Sequence, residues 1–317
     1  MNMTTALDIR TAQVPSRGTI DRTSLLDAFI SSQDRKPTTL GLYRRTLNLF
    51  FDWVESRGYS LNTMTRPQVI EYKESLVSEG KSGLTITSYL TSVRLFYQWV
   101  EAEGMYPNIA KVLNLPKRRK EFRHQPLRPA QARDLLREVE GTGSSRDFAI
   151  VNLLLRTGLR CIEVIRLNVG DISYKGGQRV LMVQGKGRDE RDNFVILTDK
   201  AYQPIQDYLS ERGPVRPEDP MFVSESNRDR GSRMTTRSVS RIAKTNLKGI
   251  GLTDKVFTAH SLRHTTAVSI LRAGGTLEDC QLTLRHSNPA TTEIYTSFAD
   301  EERRLERNVE GLIDDLY

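Results

Sequence analysis

The chain has 317 residues, of which 38% are apolar, and this size suits two domains with hydrophobic cores. No stretch approaches the roughly 20 consecutive apolar residues of a membrane-spanning helix, and the first residues lack the apolar core of a signal peptide. The two cysteines, Cys161 and Cys280, indicate a reducing compartment and no disulfide framework. We therefore expect a cytoplasmic protein that has no contact with a membrane.

The net charge is +8 and the sequence pI is about 9.5. A basic excess of this kind favours a polyanionic partner, most often nucleic acid, although a generic basic protein remains the alternative. No cluster of cysteine and histidine has metal-ligand spacing. Chemistry on a phosphate would therefore have to use side-chain cations.

Residues 1–20 are expected to form a flexible N-terminal arm, and residues 21–115 a purely helical domain. The apolar pattern predicts four helices, at Asp21–Ser31, Pro37–Arg57, Pro67–Ser78 and Ser82–Gly104. The second and fourth helices repeat each other at an offset of 46 residues. Their aromatic residues are spaced i, i+3 and i+4, which is typical of a core between two packed helices.

The N-terminal parts of these two helices carry hydroxyl groups and cations, which suit contacts with DNA phosphates. The candidates for such contacts are Thr39, Arg44, Thr85 and Arg94. A basic, proline-bracketed linker at residues 116–128 follows, with Lys117, Arg118 and Arg119 at its start. This linker either follows a nucleic-acid backbone or is merely solvated.

Residues 129–317 are expected to form a second, mixed domain. Predicted helices cover Pro129–Val139, Arg146–Arg156, Leu159–Leu167, Lys200–Arg212, Thr236–Leu247 and Asp300–Leu316. Three short strands are predicted at Asp171–Tyr174, Arg179–Gln184 and Asn193–Leu197, the last two joined by a polar hairpin tip at residues 185–192.

The stretch Thr258–Phe298 is the most informative part of the chain. It contains three of the four histidines, and His260 and Arg263 share a helical face because they are three residues apart. Imidazole, guanidinium and phenol in one segment indicate chemistry on an anion, with Tyr295 as a possible nucleophile. The competing interpretation is a set of surface helices with incidental histidine and tyrosine.

Five short motifs decide between these interpretations. In chain order they are Arg160 in TGLRCIEV, Lys186 in QGKGRDE, His260 and Arg263 in HSLRHT, His286 in LRHSN, and Tyr295 in TTEIYT. This order and spacing resemble the tyrosine recombinases, the family of phage integrases and Xer-type site-specific DNA recombinases. The resemblance covers nearly the whole chain. It implies a SAM-like helical core-binding domain and a mostly helical catalytic domain with a small antiparallel sheet, together forming a C-shaped DNA clamp.

The resemblance also implies the role of each residue. Lys186 would be the general acid, His260 would assist proton transfer with Tyr295, and His286 would donate a hydrogen bond to the scissile phosphate. Arg160 and Arg263 suit the non-bridging oxygens because guanidinium is planar and permanently charged. Glu163, one turn beyond Arg160, would orient the site.

Such an enzyme would cleave DNA through a 3′-phosphotyrosyl link and exchange strands through a Holliday junction. It would need no metal or cofactor, because the phosphotyrosine conserves the energy of the phosphodiester. The expected assembly is a homo-tetramer on two duplexes with inverted-repeat core sites, nucleoid-associated when acting, with the C-terminal helix exchanged between protomers. The alternatives are a type IB topoisomerase and a non-catalytic DNA-binding protein.

The chain departs from the family's pattern at one position. The family has Leu-Gly-His where this chain has Leu284-Arg285-His286, so a long cation replaces glycine. Arg285 is expected to alter the local helix geometry and could add a DNA contact. His264, which follows the catalytic arginine, is interpreted as a packing residue.

Overall fold

The computed structural model describes residues 22–115, 124–185, 190–285, 292–308, 310–314 and 316. The chain divides into two units, Met1–Arg119 and Lys120–Tyr317. None of the helices within the described residues is long and apolar enough to cross a bilayer.

The described part of the first unit is helical. Its helices are α1 (Arg22–Ser31), α2 (Pro37–Ser56), α3 (Arg66–Ser78) and α4 (Gly83–Ala102). Local sequence sets their starts: Pro37 occupies the first turn of α2, and the Ser82 hydroxyl accepts a hydrogen bond from the Thr85 backbone N–H at α4. Gly58 and Gly104 follow α2 and α4 with positive φ, which glycine adopts without strain.

The 46-residue repeat brings equivalent positions of α2 and α4 together. The Thr46 hydroxyl donates a hydrogen bond of 2.7 Å to the Ser92 hydroxyl, and both residues are buried. Around this pair the aromatic side chains form the core, and the ring of Phe96 lies 5.2 Å from that of Phe51 and 5.7 Å from that of Phe29. The repeated aromatic pattern is therefore a packing pattern, as the sequence indicated.

The second unit is mixed and consists of nine α-helices and a small sheet among the described residues. Its helices are α5 (Pro129–Gly141), α6 (Ser145–Thr157), α7 (Cys161–Arg166), α8 (Asp199–Arg212), α9 (Thr236–Gly249), α10 (Ala259–Arg272), α11 (Leu277–Leu284), α12 (Glu293–Arg307) and α13 (Gly311–Asp314). Strands β1 (Ile172–Lys175), β2 (Gln178–Val183) and β3 (Asn193–Ile196) form an antiparallel sheet in the order β1-β2-β3. The predicted fold class, mainly α with a small antiparallel sheet, is confirmed.

Helix α6 lies at the centre of the second unit. Ala149, Ile150, Val151 and Leu153 are fully buried on it, and it packs against α5, α8 and α10. The hydroxyl of Thr266 on α10 donates 2.9 Å to the Leu155 carbonyl, which fixes α10 along α6. The motif-bearing helix α10 is thus held against the most buried element of the unit.

The C-terminal region differs from the single helix expected at Asp300–Leu316. Helix α12 begins earlier, at Glu293, and ends at Asn308, which has a left-handed conformation with φ of 44°. Asparagine tolerates this conformation better than most residues, so it is a natural helix end. Tyr295 consequently lies in the first turn of α12, and the short helix α13 follows separately.

The aromatic core of the first unit gives a direct stability test. Replacing Phe96 by alanine should lower the free energy of unfolding by about 3–5 kcal/mol, because a fully buried ring leaves a cavity. Leu49→Ala is the matched control: Leu49 lies on the neighbouring helix and is 43% exposed, so the change should stay within about 1 kcal/mol. Urea unfolding measures both, and equal losses would contradict this account of the core.

Candidate active site

The turn after α6 presents Arg160. Gly158 ends α6 with φ of 61°, and a Cβ there would lie 2.5 Å from Leu284 Cδ2, so both conformation and space demand glycine. Arg160 then caps α7, and its backbone N–H donates 2.8 Å to Glu163 Oε2. The TGLR motif therefore acts as a tight turn that fixes where the Arg160 side chain starts.

Glu163 is the anionic centre of the site and has no exposed surface. Its Oε1 accepts a hydrogen bond of 2.8 Å from Arg160 Nη1, and its Oε2 accepts one of 2.9 Å from Arg285 Nη2. Burial alone would raise the pKa of Glu163, but Arg285, the Arg160 backbone N–H, the Arg160 side chain and Arg263 outweigh it and lower the pKa. The carboxylate is therefore ionised at neutral pH.

Arg285 occupies the glycine-type position without distorting the helix end. Helix α11 stops at Leu284, and Arg285 adopts the left-handed conformation with φ of 54°. That conformation costs a residue with a Cβ about 1–2 kcal/mol. The side chain, only 7% exposed, turns inward to Glu163 and to the Thr283 carbonyl. In this structure the guanidinium pairs internally with Glu163.

Arg263 connects three segments of the site from α10. It is 2% exposed, and its two terminal nitrogens donate to the carbonyls of Gly158 and Leu284. Burial, together with Arg160, lowers the pKa of Arg263 to about 9, which still leaves the guanidinium charged at neutral pH. Arg263 therefore fixes the turns that carry Arg160 and Arg285.

Three imidazoles lead from the edge of the second unit to Tyr295. The ring of His260 lies 5.6 Å from that of His124 and 4.8 Å from that of His264. His264 Nδ1 lies 2.8 Å from Tyr295 Oη, a hydrogen-bond distance. His264 thus contacts the candidate nucleophile itself, which the packing interpretation from sequence did not include.

The pKa values of His260 and Tyr295 are both shifted in the direction that favours the neutral side chain. Desolvation of the His260 ring, with Arg263, His124 and Arg160 nearby, lowers the pKa of His260 to about 4, although the residue as a whole is exposed to solvent. Burial raises the pKa of Tyr295 to about 12, against the lowering effect of Arg263 and Arg160. At neutral pH His260 can accept a proton, and Tyr295 keeps its own.

A cleft of about 250 Å³ opens beside these groups. Its polar lining consists of Arg160, Ser240, Thr258, His260 and Arg263. Tyr295, which is 1% exposed, lies in an apolar cluster with Ala267, Val268, Cys280 and Leu284. No group of three or more His, Cys, Asp or Glu side chains that could hold a metal ion occurs among the described residues.

The structure brings together four of the six residues that the sequence predicted as catalytic, namely Arg160, His260, Arg263 and Tyr295, with Glu163 among them. Lys186 and His286 lie outside the described residues, as do Lys117, Arg118 and Arg119. The candidate DNA contacts Thr39 and Arg44 lie on α2, and Thr85 and Arg94 lie on α4. Arg44 is exposed and pairs with Asp27 at 2.5 Å.

Sequence reasoning missed three contacts of this site: His264 with Tyr295, Arg285 with Glu163, and His124 with His260. A signal existed for His264, because it follows His260 by four residues and therefore shares its helical face. The other two contacts join residues more than a hundred positions apart. No local pattern reports such a contact.

Comparison with known proteins supports the resemblance. Residues 125–302 match the model of the phage integrase family, and residues 24–104 match its N-terminal SAM-like domain. A tyrosine recombinase XerC from Corynebacterium glutamicum is 31% identical over 293 residues, which cover 89% of this chain and 90% of that protein.

Other relatives match over less of their length. A tyrosine recombinase XerC from Caldanaerobacter subterraneus is 34% identical over 177 residues, so the chain spans about half (47%) of that protein. The crystal structure of the XerH site-specific recombinase bound to palindromic difH substrate superposes with a TM-score of 0.72 at 18% identity. That match covers 91% of this chain and 84% of the other and concerns the fold alone.

The depressed pKa of His260 predicts a pH-dependent stability. In the unfolded chain a histidine takes up a proton near pH 6.5, whereas folded His260 does so only at about pH 4. Between these values the unfolded state binds more protons, so the free energy of unfolding should fall as the pH falls. Urea unfolding from about pH 7 to about pH 4.5 should show a steeper decline for the wild type than for His260→Gln. Equal slopes would contradict a shifted His260.

Proposed function

Because the chain belongs to the phage integrase family, we propose that it is a site-specific DNA recombinase. The phenolic oxygen of Tyr295 attacks a DNA phosphodiester, which leaves a 3′-phosphotyrosyl link and a free 5′-hydroxyl. The 5′-hydroxyl of a partner duplex then attacks this link and releases Tyr295, so that strands exchange through a Holliday junction. In the first step the phenol loses a proton and the leaving 5′ oxygen gains one. In the second step the attacking 5′-hydroxyl loses a proton and the released oxygen of Tyr295 gains one.

One observation carries the proposal: Arg160, His260 and Arg263 line a single cleft, with the phenol of Tyr295 buried close behind them. The two guanidiniums suit the non-bridging oxygens of a phosphodiester, whose negative charge rises as the attacking oxygen adds. A purely DNA-binding protein gains nothing from a phenol held in this surrounding. The cluster therefore favours catalysis over binding alone.

The protonation states suit phosphotyrosine chemistry. His260, with a pKa of about 4, is neutral at physiological pH and can accept the phenolic proton directly or through His264. Arg160 and Arg263 oppose part of the rise in the pKa of Tyr295 that burial causes, and a phosphate bound between them would be the target of the phenol. On the family's pattern Lys186 protonates the leaving 5′ oxygen and His286 binds the phosphate.

Tyr295 needs a rearrangement before it can attack. Its side chain is 1% exposed and its hydroxyl is hydrogen-bonded to His264. We infer that the first turn of α12 shifts when DNA and neighbouring protomers bind, so that the hydroxyl reaches the cleft. The resting arrangement would thus keep the nucleophile away from non-cognate DNA.

We further propose a homo-tetramer on two duplexes, in which the C-terminal helix of each protomer packs on its neighbour. The support is the exposure of the apolar residues of this region. Leu305, Leu312, Ile313 and Leu316 are all more than half exposed. Apolar residues grouped at one end of a chain, with no cover from their own domain, suit a protein–protein contact. Val309, which lies between Leu305 and Leu312 in sequence, is outside the described residues.

DNA contacts outside the cleft are proposed for the first unit and the linker. Thr39, Arg44, Thr85 and Arg94 lie on helices whose N-terminal turns offer backbone N–H groups to phosphates. Lys117, Arg118 and Arg119 would follow the backbone between the two units. Inverted-repeat core sites are the expected target, because paired protomers read paired half-sites.

Covalent trapping tests the catalytic proposal. DNA that stays on the protein in SDS is sequenced to find the target site, and a nicked duplex of that sequence is then used as a suicide substrate. The wild type should accumulate an adduct, Tyr295→Phe should give none, and Arg160→Ala should slow adduct formation by about 100-fold or more.

The matched control is Tyr174→Phe, since Tyr174 is 65% exposed on β1 and should behave as wild type. If Tyr295→Phe forms as much adduct as the wild type, the proposal is wrong. Relaxation of supercoils without exchange between two duplexes would instead identify a topoisomerase.

The exchange of the C-terminal helix is tested separately. The double variant Leu312→Ser, Ile313→Ser should unfold within about 1 kcal/mol of the wild type, because both side chains are exposed. It should nevertheless fail to form tetramers on two duplexes in sedimentation experiments. Val77→Ser, which changes a 56% exposed residue of the first unit, is the control. Loss of stability without loss of assembly would show that these residues pack on their own domain.

A further inference from the structure

The residue that departs from the family's pattern, Arg285, also makes the least expected contact of the site. It lies 122 residues from Glu163 in sequence, yet the two side chains form a buried ion pair. We propose that Arg285 is a positioning residue, which holds Glu163 in place and through it fixes the guanidinium of Arg160 for the scissile phosphate. This inference rests on the proposed function of the cleft.

The two carboxylate oxygens of Glu163 accept hydrogen bonds from different groups. Oε1 accepts from the Arg160 side chain, whereas Oε2 accepts from both the Arg160 backbone N–H and Arg285. Arg285 therefore donates to Oε2, whereas the Arg160 guanidinium donates to Oε1. Rotation of the carboxylate would break both hydrogen bonds to Oε2 as well as the one to Oε1, and Arg285 supplies one of the two to Oε2.

Arg285 itself is fixed at both ends of its guanidinium. Nη1 donates 2.6 Å to the Thr283 carbonyl and Nη2 donates to Glu163. The side chain is 7% exposed, and Glu163 has no exposed surface. Water cannot easily replace the arginine there, and the guanidinium is directed at the buried carboxylate of Glu163. This geometry distinguishes positioning from a phosphate contact.

The consequence for Arg160 is a restricted set of orientations. Its Nη1 is committed to Glu163, while the side chain remains 27% exposed at the cleft. The remaining N–H groups of the guanidinium can then meet a phosphate oxygen without prior reordering. Loss of Arg285 would remove one of the two hydrogen bonds to Glu163 Oε2, so Glu163, and with it the Arg160 guanidinium, would be held less firmly. Preorganisation of this kind acts on the rate more than on DNA affinity.

The charge balance gives a second consequence. The groups that face Glu163 are Arg160 from its own helix, Arg263 from α10 and Arg285 from the end of α11. Removing Arg285 withdraws a cation that stabilises the ionised carboxylate, so protonation of Glu163 should begin at a higher pH. The acid limb of the cleavage rate should therefore move upward in pH in an Arg285 variant.

The experiment compares Arg285→Gln, Arg285→Lys, Glu163→Gln and the double variant Arg285→Gln, Glu163→Gln. Single-turnover cleavage of the suicide substrate is measured from about pH 5 to about pH 8, with DNA affinity and its salt dependence measured in parallel. We expect Arg285→Gln to slow cleavage at neutral pH by about tenfold or more, with DNA affinity within about twofold of the wild type. Its acid limb should shift upward, and Arg285→Lys should recover part of the rate.

The double variant separates positioning from an independent effect. If Arg285 acts through Glu163, the double variant should be no slower than the slower single variant, because the second change removes nothing further. Additive losses would overturn the inference. So would a parallel loss of DNA affinity with a smaller salt dependence, which marks a lost phosphate contact.

Two controls keep the outcomes distinct. A melting curve for each variant shows whether it is folded at the assay temperature, and Arg285→Lys carries the comparison if Arg285→Gln is not. Wild-type protein that forms no adduct on its target would overturn the proposed function. Arg285 variants that cleave at the wild-type rate and pH dependence would overturn only the positioning role.

Discussion

A single buried carboxylate allows the guanidinium groups of this site to gather. Arg160 and Arg285 both pair with Glu163, and Arg263 lies close enough to lower its pKa. Three cations in a partly desolvated space repel one another strongly, since burial weakens the screening by water. One negative charge offsets part of this repulsion. The site still keeps a positive excess, which is what an incoming phosphate requires.

The backbone around this carboxylate is fixed by the same arginines. Arg263 donates to the carbonyls of Gly158 and Leu284, so it joins the end of α6 to the end of α11 across α10. Gly158 makes the approach possible because a larger residue would collide with Leu284. Helix α6, which is largely buried, packs against α10 and so supports these turns. The cleft is therefore built on packed helices and on the turns that join them.

The local features of this design are visible in the sequence. The spacing of His260 and Arg263 places both on one face of α10, and the glycine before Leu159 marks the turn that presents Arg160. The 46-residue repeat identifies the aromatic core of the first unit, where Thr46 meets Ser92. Periodicity and turn chemistry are properties of short segments, which explains why these features could be predicted.

What the sequence does not show depends on contacts between distant segments. A cation in a glycine position suggests an exposed side chain, and only the packed structure reveals that Arg285 turns inward to Glu163. The end of α12, where Asn308 caps the helix, is equally hidden, because the sequence predicts a helix that continues to Leu316. The pairing of His264 with Tyr295 joins α10 to α12, and helical spacing alone could not choose between packing and contact with the phenol.

The resting state of the nucleophile follows from the same packing. Burial that raises the pKa of Tyr295 from 10 to about 12 reduces the phenolate fraction at neutral pH by about 100-fold. The hydrogen bond to His264 and the apolar cluster around the ring hold the phenol in this form. Helix α12 carries Tyr295 at its start and the exposed Leu305 near its end, so the proposed contact with a neighbouring protomer would involve the helix that carries the nucleophile. On that proposal, assembly and exposure of the phenol would be two effects of one helix movement.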